Sequence, residues 1–251
     1  MDIYNFYNSK GWKKTNDVFH DAKLFEDLRK SSRVYVSNCR KRVLEFLPAN
    51  GNNMLDFASG PLQYKEYLTY SKNFQKRHCI DFSRDAIKLA KKKIGKKGKF
   101  YCGDFLKLKL KKNFFDCTIS LHTIYHIKKN TQKRAVKKLI DVTKPGSPII
   151  IIYSNPNTII NRLKDFINYK NNNKKQLYFY CHSIKWWNQF KKYSNVSIHP
   201  WRSFSSQHQK KIFMDNFIGK RMFDILFYLE KIFLNFFVKN FQYYIVILKK
   251  N

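Results

Sequence analysis

The sequence predicts an α/β fold in which a mostly parallel sheet is covered by helices on both faces. Short continuous apolar runs such as Phe114–Leu121 and Pro148–Tyr153 alternate with helical patterns, as strands buried on both faces require. The stretch Met54–Tyr64 (MLDFASGPLQY) reads as a buried strand running into a tight turn and then a helix. Acidic residues close three successive strands, at Asp56, Asp81 and Asp104, spaced 25 and 23 residues apart, about one strand–helix–strand unit.

Taken in order, Met1–Gly11 is expected to be irregular. From about Thr15 to Leu47 apolar residues recur at helical spacing until Pro48 and Gly51 end the run. Two helices with a break near Ser31–Ser32 are expected there. Gln63–Asn73 should be the first core helix. His78–Phe82 is the second strand, and Ser83-Arg84-Asp85 caps a helix over Ala86–Lys97. Phe100–Cys102 and Phe114–Leu121 follow as strands. A helix over Thr131–Thr143 then passes through Lys144-Pro145-Gly146 into Pro148–Tyr153. Beyond Asn155 the pattern loosens. Expected there are a helix over Ile159–Ile167, an exposed loop at Asn171–Lys175, an aromatic helix with Trp186, Trp187 and Phe190, and strands Val196–Trp201 and Gln242–Leu248. Between those strands, Asp224, Lys231 and Asn235 should share one helical face. The rest, with Phe223, Phe227, Phe233 and Phe237, is broadly apolar and must cover the core, an acceptor site or a membrane surface.

The small residues Ala58, Ser59 and Gly60 let the backbone approach a ligand. G-x-G-x-x-G is absent, against NAD and FAD, and no P-loop motif exists. The run Asp56-Phe57-Ala58-Ser59-Gly60-Pro61-Leu62 resembles motif I of the class I S-adenosylmethionine-dependent methyltransferases, usually D-x-G-x-G-x-G, in an A-S-G-P-x-Q-Y variant. Gly103-Asp104-Phe105, the Phe115-Asp116 strand with Ser120, and Lys144-Pro145-Gly146 extend that resemblance over Met54–Tyr153. It implies a Rossmann-like, seven-stranded, mostly parallel sheet with a last antiparallel strand inserted between the fifth and sixth. It also implies a single domain over 1–251: N-terminal helices in 1–50, a cofactor-binding core in 51–154 and a substrate-side capping region with the last two strands in 155–251. S-adenosylmethionine is the implied cofactor. Asp56, Ala58, Gly60 and His122 would bind it, with Asp81 on the ribose, Asp104 on the adenine amine and Phe105 on the ring.

Methyl transfer from a sulfonium needs the acceptor held in line and, for a hydroxyl or ammonium acceptor, a base. His126, His122 and Tyr125, just after the fourth strand, are the catalytic candidates. His182 is a weaker one, and Asp116 reads as structural. No N-P-P-[YF] or D-P-P-[YF] follows the fourth strand, where Ser120-Leu121-His122-Thr123 stands. That lowers base-amine and glutamine acceptors and favours a small molecule such as a secondary metabolite or sugar. An RNA methyltransferase and an inactive cofactor-binding homologue stay open.

The chain has 251 residues, a net charge of +33 and 43% apolar residues, enough for one sizeable core. Lysine supplies 40 of its 50 basic residues, with 23 Asn, 23 Ile and only 6 Ala, the signature of AT-rich codons. The charge therefore reads either as a solvated lysine surface or as a footprint for nucleic acid or a membrane surface. Five cysteines without C-x-x-C suit reduced thiols in a cytoplasmic protein and no metal site. With no apolar leader and no long apolar run, no membrane span is expected.

Overall fold

In a computed structural model, which describes residues 2–166 and 177–251, seven strands form one sheet: β1 (Gly51–Phe57), β2 (Phe74–Asp81), β3 (Gly98–Cys102), β4 (Cys117–Leu121), β5 (Pro148–Ser154), β6 (Ser194–Arg202) and β7 (Tyr243–Lys250). Their order is β3-β2-β1-β4-β5-β7-β6. All neighbouring pairs are parallel except those of β7, which runs antiparallel to both β5 and β6. This is the Rossmann-like sheet that the resemblance implies, with the last strand inserted where expected.

Alternation along β5 shows why both faces must be covered. Ile149, Ile151 and Tyr153 pack into one core with Val136, Leu139, Trp187 and Phe190. Ile150 and Ile152 pack into the other, with Tyr35, Val36, Trp201 and Phe223. The helices are α1 (Ile3–Phe6), α2 (His20–Phe25), α3 (Arg33–Lys41), α4 (Lys65–Thr69), α5 (Arg84–Ile94), α6 (Lys129–Val142), α7 (Ile159–Phe166), α8 (Ser206–Ile212), α9 (Phe217–Ile232) and α10 (Leu234–Asn240), of which α6 packs into the first layer and α3, α9 and α10 into the second. Ser83 accepts a bond from the Ala86 amide and caps α5, as its sequence suggests.

Several boundaries differ from the sequence expectation. Residues 3–11 are ordered: α1 continues into a wide turn over Tyr7–Gly11. The helical reading from Thr15 fails at its start, because Lys14–Thr15 pairs with Val18–Phe19 across a two-residue turn. Asn16 and Asp17 sit there at φ 51° and 57°, the left-handed pair that tight hairpins require. The break at Ser31–Ser32 is present, and α3 starts after it. The expected Gln63–Asn73 helix shrinks to α4, because the Tyr67 carbonyl and the Ser71 hydroxyl turn to accept bonds from Arg77. The aromatic segment over Ile184–Phe190 forms a 3-10 turn rather than an α-helix. The loop expected at Asn171–Lys175 lies outside the described residues.

The segment between β6 and β7 needs the largest correction. It is three helices, and the break at Phe233 (φ −100°, ψ 50°) separates α9 from α10. Asp224, Lys231 and Asn235 therefore share no continuous helical face. Phe223 is buried against Tyr35 and Phe213, so the inner face of α9 belongs to the core. Its outer face is also apolar and lies open. Among the described residues no helix is long and apolar enough to cross a membrane.

Candidate active site

The carboxyl ends of β1, β2 and β4 open into a cavity of about 940 Å³, where open α/β sheets bind ligands. After β1 the chain turns sharply. Ala58, Gly60 and Leu62 have φ of 56°, 55° and 51°. Ala58 and Leu62 stand where further glycines would ease the turn, and the backbone keeps the glycine conformation without them, at a cost of roughly 1–2 kcal/mol each. At Gly60 a Cβ would come within 3.2 Å of the Trp12 ring, so a side chain there would have to push that ring aside as well as hold the positive φ. The amide of Ser59 donates to the Ile80 carbonyl, which fixes the turn against β2.

The three strand-end acids do different work. Asp56 is buried, and its carboxylate is held by the buried Arg77 guanidinium, with Arg77 Nε at 3.0 Å. Burial pushes the Asp56 carboxyl up and Arg77 opposes this, with a net upward shift. Asp81, also buried, accepts from the Gly60 amide at 2.9 Å and the Ser83 amide at 2.8 Å. Burial raises its pKa to about 6, against those backbone bonds, and no cation among the described residues pairs with it. Asp104 is exposed, lines the cavity and accepts from the Leu106 amide. Phe105 stacks on Phe57 with centroids 4.2 Å apart, and Lys138 lies 4.9 Å over its ring.

His122, Tyr125 and His126 all line the cavity. His122 sits at φ 57°, a strained value of the kind that gathers at functional sites. Its Nδ1 is 2.8 Å from the Tyr125 hydroxyl, and its buried Nε2 has no hydrogen-bond partner among the described residues. Burial first, then the Arg202 charge, holds its pKa well below the ordinary imidazole value. Burial holds the Tyr125 phenol far above its usual range, so Tyr125 stays protonated. His126 differs. Its Nδ1 lies 2.8 Å from the Tyr178 carbonyl, an oxygen that can only accept, so Nδ1 carries the proton and Nε2 keeps its lone pair. Burial lowers its pKa while that bond opposes the shift, leaving a neutral imidazole at neutral pH. His182 is stacked on Trp186 at 4.4 Å and is not part of the cavity lining. Asp116 lies at the amino end of the sheet, bound by the Asn52 and Asn53 amides and Lys144, a structural place.

The N-terminal segment supplies a wall that the sequence does not announce. Ile3, Tyr4, Tyr7, Trp12, Asp21 and Glu26 all line the cavity. Tyr7 stacks on Trp12 at 4.8 Å and donates to Asp21 at 2.9 Å. Burial raises the Asp21 pKa to about 6 in spite of the bonds from Tyr7 and Gln63. Arg202, at the end of β6, joins this wall by pairing with Glu26 at 3.1 Å. These partners are 176 residues apart, and no local spacing could bring them together on paper.

The described lining contains five carboxylates (Asp21, Glu26, Asp56, Asp81 and Asp104), one arginine and no lysine. The chain as a whole carries 50 basic and 17 acidic residues, so the charge sign reverses inside the cavity. Such a lining suits a cationic ligand.

Residues 55–151 match the family described as methyltransferase domain. No curated protein matches the chain. A SAM-dependent methyltransferase from Archaeoglobus fulgidus is similar over 87% of this chain and 95% of its own, with a TM-score of 0.57 and 18% identity. Geranyl diphosphate C-methyltransferase from Streptomyces coelicolor A3(2) is similar over 99% of this chain and 96% of its own, with a TM-score of 0.61 and 9% identity. Phosphoethanolamine N-methyltransferase 2 from Haemonchus contortus aligns over 85% of this chain, with a TM-score of 0.53 and 17% identity. The alignment covers 52% of that longer chain. These likenesses establish the fold, and the matched domain carries the chemistry. Residues 55–151 are thus similar to a methyltransferase domain, and the fold of the chain is that of the class I S-adenosylmethionine-dependent methyltransferases. The cofactor that the domain implies is S-adenosylmethionine, and the acid-rich lining fits that molecule's sulfonium and ammonium charges.

Proposed function

We propose that this enzyme methylates a small molecule held in the cavity, at a hydroxyl or amine, with His126 as the base. The observation that carries the reading is the charge reversal: 40 lysines on the chain and none on the described cavity wall. A site built for a polynucleotide would continue its cationic surface to the reacting atoms. This wall instead sets aromatic and apolar side chains among carboxylates and other polar groups, an enclosed mixture that a small molecule can fill.

When bound, S-adenosylmethionine supplies an electrophilic methyl carbon on a positively charged sulfur. Asp81 would take its ribose hydroxyls, because a buried carboxylate with only backbone donors has acceptor capacity left. Asp104, with the neighbouring Leu106 and Phe105, would take the adenine, and Asp21 the ammonium end. Ala58 and Gly60 bring the backbone close enough for contact. The cofactor would supply its methyl group to the acceptor's lone pair and leave as a neutral thioether that keeps the carbon–sulfur electron pair. The acceptor's proton passes to Nε2 of His126. His122 and Tyr125 hold the acceptor side of the wall through their mutual hydrogen bond. All of this sits within one catalytic domain, since strands from both halves of the chain share the sheet.

The test is transfer of radiolabelled methyl groups to a cell extract, split into dialysable metabolites and RNA. Label in the dialysable fraction is expected. Label confined to RNA and released by ribonuclease would replace this reading with RNA methylation.

A further inference from the structure

The outer face of α9 and α10 has the make-up of a buried surface and lies in the open. Phe217, Ile225 and Tyr228 are 68%, 59% and 64% exposed, and Ile218, Ile232 and Phe233 are each more than half exposed. On α9 the exposed Phe217, Ile218, Ile225, Tyr228 and Ile232 recur at helical spacing opposite the buried Phe223 and Leu226, so the helix is apolar on its outer as well as its inner face, with a charged strip between. Such a helix needs a second apolar partner outside its own core. Among the described residues nothing covers this face.

The charge beside it says what the partner is. Lys210, Lys211, Lys220, Arg221, Lys231 and Lys239 are exposed on α8–α10. The acids of the same stretch are Asp215, Asp224 and the buried Glu230, which Arg42 neutralises. A second copy of the chain would bring a net charge of +33 against +33, which opposes self-association. An anionic lipid surface offers both an apolar interior for the exposed side chains and counter-charge for the lysines. We propose that α9 and α10 dock the enzyme on an anionic membrane surface, lying in the plane of the headgroups. The proposal concerns binding alone and does not depend on which acceptor is methylated.

The test is co-sedimentation of the full chain with phosphatidylcholine vesicles, with and without phosphatidylserine. The wild type should pellet with the anionic vesicles and stay largely in solution with the neutral ones. Replacing Ile225, Tyr228 and Ile232 together by Glu should lower the anionic-vesicle affinity by at least about tenfold, with an unchanged melting temperature because all three side chains are exposed. Replacing Lys220 and Lys231 by Gln should weaken the preference for phosphatidylserine while leaving the fold intact. Equal pelleting of the wild type and the triple Glu variant would overturn the proposal. So would a wild type that ignores anionic vesicles but forms a dimer in sedimentation that the triple variant loses, which would give the face to a second copy.

Discussion

Replacing His126 by Gln is expected to lower kcat by about 10²- to 10⁴-fold, the span of a lost general base, with little change in cofactor affinity. The expectation rests on the tautomer. The Tyr178 carbonyl accepts the Nδ1 proton, so Nε2 is free to take one, and burial keeps the ring neutral at neutral pH. The wild-type rate should therefore fall on acidification through a pKa below the ordinary imidazole value, and H126Q should lose that acidic limb. Replacing His122 by Asn should cost less, since its Nδ1 is tied to Tyr125 and its Nε2 is enclosed. Unchanged turnover in H126Q under saturating cofactor would remove His126 from the chemistry.

The largest stability effect is expected for Arg77→Leu, about 3–5 kcal/mol of unfolding free energy, because it strands a buried carboxylate. Arg77 and Asp56 are both buried, and their ion pair ties β2 to β1 just before the turn that follows β1. Arg77 also holds the Tyr67 carbonyl and Ser71, and Tyr67 is part of the cavity wall. The variant should thus lose cofactor affinity together with its melting temperature. Adding Asp56→Asn to Arg77→Leu should recover part of the loss, since no unpaired charge then stays buried. Chemical denaturation showing Arg77→Leu as stable as the wild type would contradict this account of Asp56.

How far the sequence reaches follows from the range of the interactions concerned. The strands, the order of the acids at their ends and the Lys144-Pro145-Gly146 passage are local signals, and each stands where it was expected. The pairing of Asp56 with Arg77 was not legible, because it depends on register: Met54 lies opposite Arg77 across two strands. Nor was the N-terminal wall, where Trp12, stacked on Tyr7, meets Gly60 only after the chain folds back. The Asn16-Asp17 turn was legible in principle, as a turn-favouring pair between Lys14-Thr15 and Val18-Phe19, but the helical periodicity downstream masked it. The break at Phe233 carries no proline or glycine, and nothing local marks it.

The central claim, that acids at the strand ends make this cavity a site for S-adenosylmethionine, is tested most directly by titrating S-adenosylhomocysteine into the wild type and Asp81→Ala across pH. Asp21 and Asp81 both have pKa values raised to about 6 by burial. Their ionisation in the free protein therefore costs stability as pH rises through 6. A ligand that donates hydrogen bonds to Asp81, or presents a cation to Asp21, favours the charged forms, so affinity should be highest above pH 6 and fall on acidification below it. Asp81→Ala should bind about 1–3 kcal/mol more weakly at neutral pH and show a shallower acidic fall. Unchanged affinity in Asp81→Ala, or no binding by the wild type, would contradict the claim.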